Sequence, residues 1–199
     1  MGLQSMPHEN MLDNKNNIFA LTFDSDWAPQ FVLDFVLKKL KQYGFKATIF
    51  LTSAYRTGDF EDVEIALHPN FLPNSTQGKN EKEIISNLRE YYPNAVGSRS
   101  HKCYWHNGLI PLFKEFSLSY DSSLVLPFHP ELRPTFIDSL IRLPIWWGDN
   151  LHIINNYPFN YIKLPNFNSF GLKIFNFHPI HIYLNTNDLN VYRQMISRF

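Results

Sequence analysis

The stretch FALTFDSDWAP (19–29) places Asp24 and Asp26 one residue apart at the end of an apolar run. A carboxylate beside apolar chain is unfavourable unless a cation or a set of donors meets it. These two therefore need partners from elsewhere in the chain. His68 closes VEIALH, Arg99 and His101 close AVGSRSH, Asp149 follows LIRLPIWWG, and His178 and His181 come at the end of LKIFNFHPIH. Carboxylates and imidazoles are the groups of proton transfer and metal binding, and a guanidinium is a fixed cation for a carboxylate. Any one of them alone has an ordinary structural explanation. Their recurrence after apolar segments points to one shared site.

The segments that would carry them alternate between strand and helix patterns. IFALTF (18–23), KATIFLTS (46–53), VEIALH (63–68), AVGSRSH (95–101), LSYDSSL (118–124), SLIRLPIWW (139–147) and LKIFNFH (172–178) read as strands. PQFVLDFVLKKLKQYG (29–44) reads as a helix with Pro29 in its first turn, a stripe of Val32, Val36, Leu40 and Tyr43, and Gly44 at its end. NEKEIISNLREYY (80–92) reads as a helix capped by Asn80, with Glu83 in capping-box position and Ile84, Ile85, Leu88, Tyr91 and Tyr92 on one face. GLIPLFKEF (108–116) is a weaker helix, the tail from Asn187 is helical, and 125–138, with three prolines, is a loop. Such alternation predicts an α/β fold with mostly parallel strands, in which ligands bind at the carboxyl ends of the strands. The chemistry-bearing residues fall at those ends.

Bulk properties narrow the function classes. The 199 residues suit one domain over 18–199, preceded by a loose lead-in over 1–17. Net charge is zero with histidine neutral, which leaves no electrostatic footprint for nucleic acid or an anionic membrane. No run approaches the roughly 20 apolar residues of a membrane span. The polar start MGLQSMPHENMLDNKNN shows no secretory signal, and the single Cys103 suits a reducing compartment, so a cytoplasmic protein is expected. Cys103 reads as a small buried residue rather than a thiolate ligand, and nothing in the pattern sets an oligomeric state.

The motifs together resemble the polysaccharide deacetylase family, the carbohydrate esterases that include chitin and peptidoglycan deacetylases. LTFDSD is similar to that family's first motif, EIALHPNF (64–71) to the second, GSRSH (97–101) to the third, WWGDN (146–150) to the fourth and IFNFHPIHIY (174–183) to the fifth. The order and spacing match over about residues 18–185, and the set looks closest to a divergent branch associated with surface-glycan biosynthesis. The resemblance implies an irregular (β/α) barrel of mostly parallel strands and a divalent metal, with Zn²⁺ expected. It implies Asp24 as catalytic base beside Arg99, Asp26 and His68 as metal ligands, and His178 as acid. Trp146, Trp147, Asp149 and His181 are then candidates for substrate binding, the two tryptophans being equally readable as core.

The chain departs from the pattern in two places. Ser25 separates the acidic pair, and Leu72 stands where the second motif has its second metal-binding histidine. His101 is the candidate third ligand: two residues after Arg99 on an extended strand, both side chains would point the same way. His106 is its rival, while His8, His129 and His152 read as structural or exposed. The function expected is metal-dependent removal of an N-acetyl group from a saccharide or sugar conjugate. Two alternatives are a catalytically silent saccharide-binding protein on the same scaffold and a metal-dependent hydrolase of a non-sugar amide.

Overall fold

A computed structural model of the chain describes residues 17–56, 62–157, 163–186 and 188–197. The elements are, in order, β1 (Asn17–Asp24), α1 (Gln30–Tyr43), β2 (Ala47–Leu51), β3 (Val63–Leu67), α2 (Glu81–Tyr91) and β4 (Gly97–Ser98). Then follow α3 (Leu109–Glu115), β5 (Tyr120–Asp121), β6 (Thr135–Ile137), β7 (Leu140–Arg142), β8 (Ile145–Gly148) and α4 (Asp149–Ile154). The last are β9 (Gly171–Phe177), α5 (Pro179–Tyr183) and α6 (Leu189–Ile196). Of the expected lead-in, residues 1–16 lie outside the described residues, as does Asn187, while Asn17 already opens β1.

The strands form one nine-stranded sheet in the order β6-β7-β5-β4-β3-β2-β1-β9-β8. Only the β6–β7 pair is antiparallel; all other neighbours are parallel. The mixed α/β fold with a mostly parallel sheet is therefore the one expected. β6 and β8 stand at the two ends of the strand order, so regular pairing does not close a barrel. The segment after β5 nonetheless hydrogen-bonds to β8: Ile145 N donates to the Leu124 carbonyl at 2.7 Å, and Leu126 N to the Ile145 carbonyl at 2.9 Å. The sheet is thus tied back on itself along an irregular seam.

Central parallel strands are covered on both faces, so their apolar runs are nearly continuous. One layer of core lies under the helices, where Val36 and Leu40 of α1, Ile84, Ile85 and Leu88 of α2, and Phe113 of α3 meet Ile49, Leu51 and Leu67 of the sheet. A second cluster gathers Trp146, Trp147, Phe175, Leu132 and Leu164. The stripe of α1 is Val32, Leu33, Val36, Leu37 and Leu40. Tyr43, expected in that stripe, is exposed, because Gly44 ends the helix there in the left-handed conformation at φ 66°. Asn80 caps α2 as read, accepting from Glu83 N at 2.9 Å, but the Glu83 carboxylate reaches back to the Lys79 N–H rather than to Asn80. Ile84, Ile85, Leu88 and Tyr92 are buried while Tyr91 is exposed.

Several strand assignments change, and LSYDSSL is among them, shortened to Tyr120–Asp121. SLIRLPIWW is two strands, β7 and β8, broken at Leu143–Pro144, where the chain passes from one end of the strand order to the other. Residues 135–137, inside the expected loop, pair antiparallel with β7 as β6. AVGSRSH shortens to Gly97–Ser98, and His101 begins a 3₁₀ turn over His101–Cys103.

Candidate active site

Parallel pairing brings the carboxyl ends of β1, β3, β4, β8 and β9 to one rim. Asp24 is the last residue of β1; His68, Arg99, Asp149 and His178 each directly follow their strands. The register explains the placement: Asp24 lies opposite Phe50, Leu67 opposite Ser98 and Gly148 opposite Asn176, so each strand stops within about a residue of the same level.

Asp24 is buried, and its carboxylate accepts from Arg99 Nη1 at 2.9 Å and from Asn176 Nδ2 at 2.8 Å. Arg99 is 1% exposed. Its guanidinium lies 4.1 Å from the centre of the Phe50 ring and also donates to Thr22 Oγ1, Ser122 Oγ, the Ser122 carbonyl and the Asn176 amide oxygen. Burial pushes the Asp24 carboxyl up, but the charges of Arg99, His68 and His178 outweigh it and hold the group below the ordinary carboxylate range. Asp24 is thus an ionised carboxylate held in place by Arg99 and Asn176.

Asp26 lies beyond the strand. Ser25 anchors the intervening turn, its N–H donating to the Phe50 carbonyl at 3.0 Å and its Oγ accepting from Thr52 N at 3.0 Å. Trp27 then turns the chain at φ 55°, a conformation costing a bulky residue about 1–3 kcal/mol. Asp26 Oδ2 comes 3.0 Å from His68 Nε2 and 3.2 Å from His101 Nδ1. The three donor atoms lie within 4.8 Å of one another. One carboxylate and two imidazoles around a common point match the donor set of an open divalent metal site. His68 Nδ1 is buried without a hydrogen-bond partner among the described residues and faces Asp24 Oδ1 at 4.0 Å. Burial lowers the His68 pKa, but Asp26 and Asp24 outweigh this and raise it. Burial likewise pushes Asp26 up, and the two imidazoles hold it far below its usual value.

His101 reaches this cluster from a turn and not from the extended strand expected. Its N–H donates to the Pro69 carbonyl at 2.8 Å, and Lys102 and Cys103 follow at φ 54° and 53°. His106 is elsewhere, bonded to Glu81 on the surface at 2.7 Å. Burial raises the Cys103 thiol to about 11, which keeps it protonated.

On the opposite side, His178 Nδ1 lies 2.7 Å from Asp149 Oδ1 and its backbone N–H donates to Asp149 Oδ2 at 2.5 Å. Burial alone would lower the imidazole pKa; the Asp149 carboxylate, with smaller contributions from Asp24 and Asp26, outweighs it and raises the group to about 9. His178 Nε2 points toward the metal cluster, 3.9 Å from Asp26 Oδ2. His181, on α5, is pushed the other way: burial lowers its pKa, Asp149 opposes, and the neighbouring His178 charge lowers it further. Asn150 sits between the two, 3.3 Å from His178 Nε2 and 2.9 Å from His181 Nε2.

Two expectations are corrected by burial. Trp146 and Trp147 are 0% and 2% exposed. Trp146 packs on Phe128, Phe167 and Phe175, and Trp147 on Phe175 and Phe177 with its Nε1–H donated to His152, so neither offers a face to a sugar. Asp149, expected at the substrate, is buried against His178. The sequence reading passed over Asn176, Asn150 and Trp27, whose ring stacks on His178 at 5.7 Å. Asn176 is a lone amide between the aromatic residues Phe175 and Phe177 of β9, and a buried amide in such a run needs a partner; that was the available signal.

The fold has relatives among solved structures. A Bordetella bronchiseptica protein described as a polysaccharide deacetylase involved in O-antigen biosynthesis superposes with a TM-score of 0.81 at 28% identity, over 90% of this chain and 78% of that one. A Mycobacterium smegmatis protein described as a polysaccharide deacetylase shares the fold, with a TM-score of 0.57 at 20% identity over 94% and 84%. None of the curated proteins matches the chain. Residues 21–196 match the WbmS-like polysaccharide deacetylases, and the chain belongs to that family.

Proposed function

We propose that the chain is a metal-dependent hydrolase that removes an N-acetyl group from a saccharide or sugar conjugate. The observation that carries this reading is the convergence of Asp26, His68 and His101 between an ionised Asp24 and a His178 held protonated by Asp149. Asp26, His68 and His101 would hold a divalent ion, Zn²⁺ by their donor set, and such an ion supplies an acidified water and a positive charge for a developing oxyanion. Asp24 accepts the proton of the attacking water, and Arg99 with Asn176 keeps its carboxylate ionised and aimed. Water oxygen adds to the amide carbonyl carbon. His178 then gives its Nε2 proton to the amide nitrogen as the C–N bond breaks, because an amine leaves only when protonated. Acetate and a free amino sugar result. Asp149 positions His178 and favours its charged form.

His181, with its lowered pKa, lines the acid side beside Asn150. The lone Cys103 suits the reducing cytoplasm. The Bordetella relative's description supports a glycan-assembly intermediate as the substrate class. A second reading, a silent saccharide-binding protein, draws on Leu72 in place of a ligand histidine; His101 beside Asp26 weighs against it. The deciding assay incubates the zinc-loaded protein with N-acetylglucosamine oligosaccharides and measures acetate and free amine. Equal release of both, stopped by a chelator and by Asp24→Asn, supports the hydrolase. Sugar binding without release supports the silent protein.

A further inference from the structure

The geometry points to Trp27 as the residue that contacts the sugar carrying the scissile amide, a role that rests on the hydrolase reading of the site and extends it to substrate selection. Trp27 directly follows Asp26, so its Cα is fixed at the edge of the metal cluster. Its ring stacks on the His178 imidazole with centroids 5.7 Å apart and planes inclined by 27°. It is only partly buried, packed along one side on Ala28, Val32 and Ile180. The tryptophans of β8 are enclosed in the core and Trp105 is covered by the Arg142 guanidinium, whereas Trp27 is partly exposed and stands against His178.

The position of the ring sets which part of a substrate it meets. The carbonyl carbon must lie near the point shared by Asp26, His68 and His101, and the leaving nitrogen must lie within reach of His178 Nε2. The carbon bearing that nitrogen continues away from the cluster on the His178 side, where Trp27 stands. The acetyl methyl lies on the other side of the carbonyl. An indole there meets the apolar C–H surface of a pyranose, which aromatic rings pack well.

The left-handed backbone of Trp27 supports the same conclusion. Glycine would take φ 55° without strain and would complete the turn between Asp26 and α1. A bulky ring at such a position persists where its contacts hold it, and the contacts here are the acid His178 and the start of α1 and α5.

The test compares wild type, Trp27→Ala and Trp27→Phe on an N-acetylglucosamine trisaccharide and on 4-nitrophenyl acetate, an ester without a sugar. Trp27→Ala should lose at least about tenfold more kcat/KM on the trisaccharide than on the ester, with the difference carried by KM, and Trp27→Phe should recover most of it, as expected for an aromatic contact. Zinc content read alongside confirms an intact centre. Equal losses on the two substrates would mean that Trp27 only holds His178 or the fold, and would overturn the assignment. Should the wild type release no acetate, the hydrolase reading fails separately, and intrinsic fluorescence decides the point. A saturable change on adding the trisaccharide, absent in Trp27→Phe, upholds the sugar contact; a change of equal size in both proteins, or in neither, refutes it.

Discussion

Replacing Asp149 by asparagine tests the acid side of the site with a nearly isosteric change. In the wild type, burial disfavours the His178 cation, and the Asp149 carboxylate at 2.7 Å more than offsets this, placing the pKa at about 9. The Asp149→Asn variant would keep an acceptor for the His178 N–H but bring no charge, leaving only the Asp24 and Asp26 carboxylates to oppose burial, so the imidazole pKa would fall. The acid must carry its proton to act, so activity falls as pH rises through the His178 pKa. At pH 8 a group of pKa about 9 is about 90% protonated, and each unit by which the variant's pKa falls below 8 costs roughly tenfold in kcat/KM on an amide at that pH. A divalent ion at Asp26 would lower His178 in both proteins, so the separation between their alkaline limbs is the quantity to read. The assay is a pH profile of kcat/KM from pH 5 to 10 for both proteins. An alkaline limb that stays within half a unit in Asp149→Asn would refute the dyad. The linkage has the same sign for stability: the contribution of the raised His178 pKa is complete below about pH 6.5 and is lost as pH rises through about 9.

Asp24→Asn should keep the metal and lose roughly 10²–10⁴ in turnover, the contribution of a general base, as measured by acetate release; metal loss would mean that Asp24 is a ligand. His178→Ala should lose far more on an amide than on 4-nitrophenyl acetate, whose leaving group needs no proton, whereas His181→Ala should be milder and indifferent to the substrate; the reverse pattern would make His181 the acid. Arg99→Met leaves the Asp24 carboxylate buried without its cation and should lower urea-unfolding stability by about 3–5 kcal/mol, with Asp24→Asn in the same chain recovering part of the loss. A loss under about 1 kcal/mol would show Asp24 to be less confined than its burial implies.

The elements that carry long apolar runs were readable, and the local turns that aim the side chains were not. β1, β2, β3 and β9 announce themselves because each is a mostly apolar run, buried toward its carboxyl end, and the polar residue that follows such a run is set at the rim by register. The same rule misplaces Trp146 and Trp147. Adjacent on β8 at an irregularity in its pairing with β9, both pack on Phe175 and are enclosed. Arg99 finds Asp24 as its position after a strand suggests, but His101 reaches Asp26 through a left-handed Lys102–Cys103 turn that no glycine marks. Trp27 is hidden for the same reason. Asn176 donates to Asp24 and Asn150 lies between His178 and His181, and a single amide shows that it needs a partner without showing which.

Metal content read by elemental analysis on wild type, Asp26→Ala, His68→Ala and His101→Ala tests the centre most directly. Wild type is predicted to hold about one divalent ion per chain, as a single site of one carboxylate and two imidazoles requires, with zinc the metal taken up when several are offered. Each of the three variants should lose it. Full occupancy in the His101→Ala protein, or no bound metal in the wild type after zinc loading, would contradict the account.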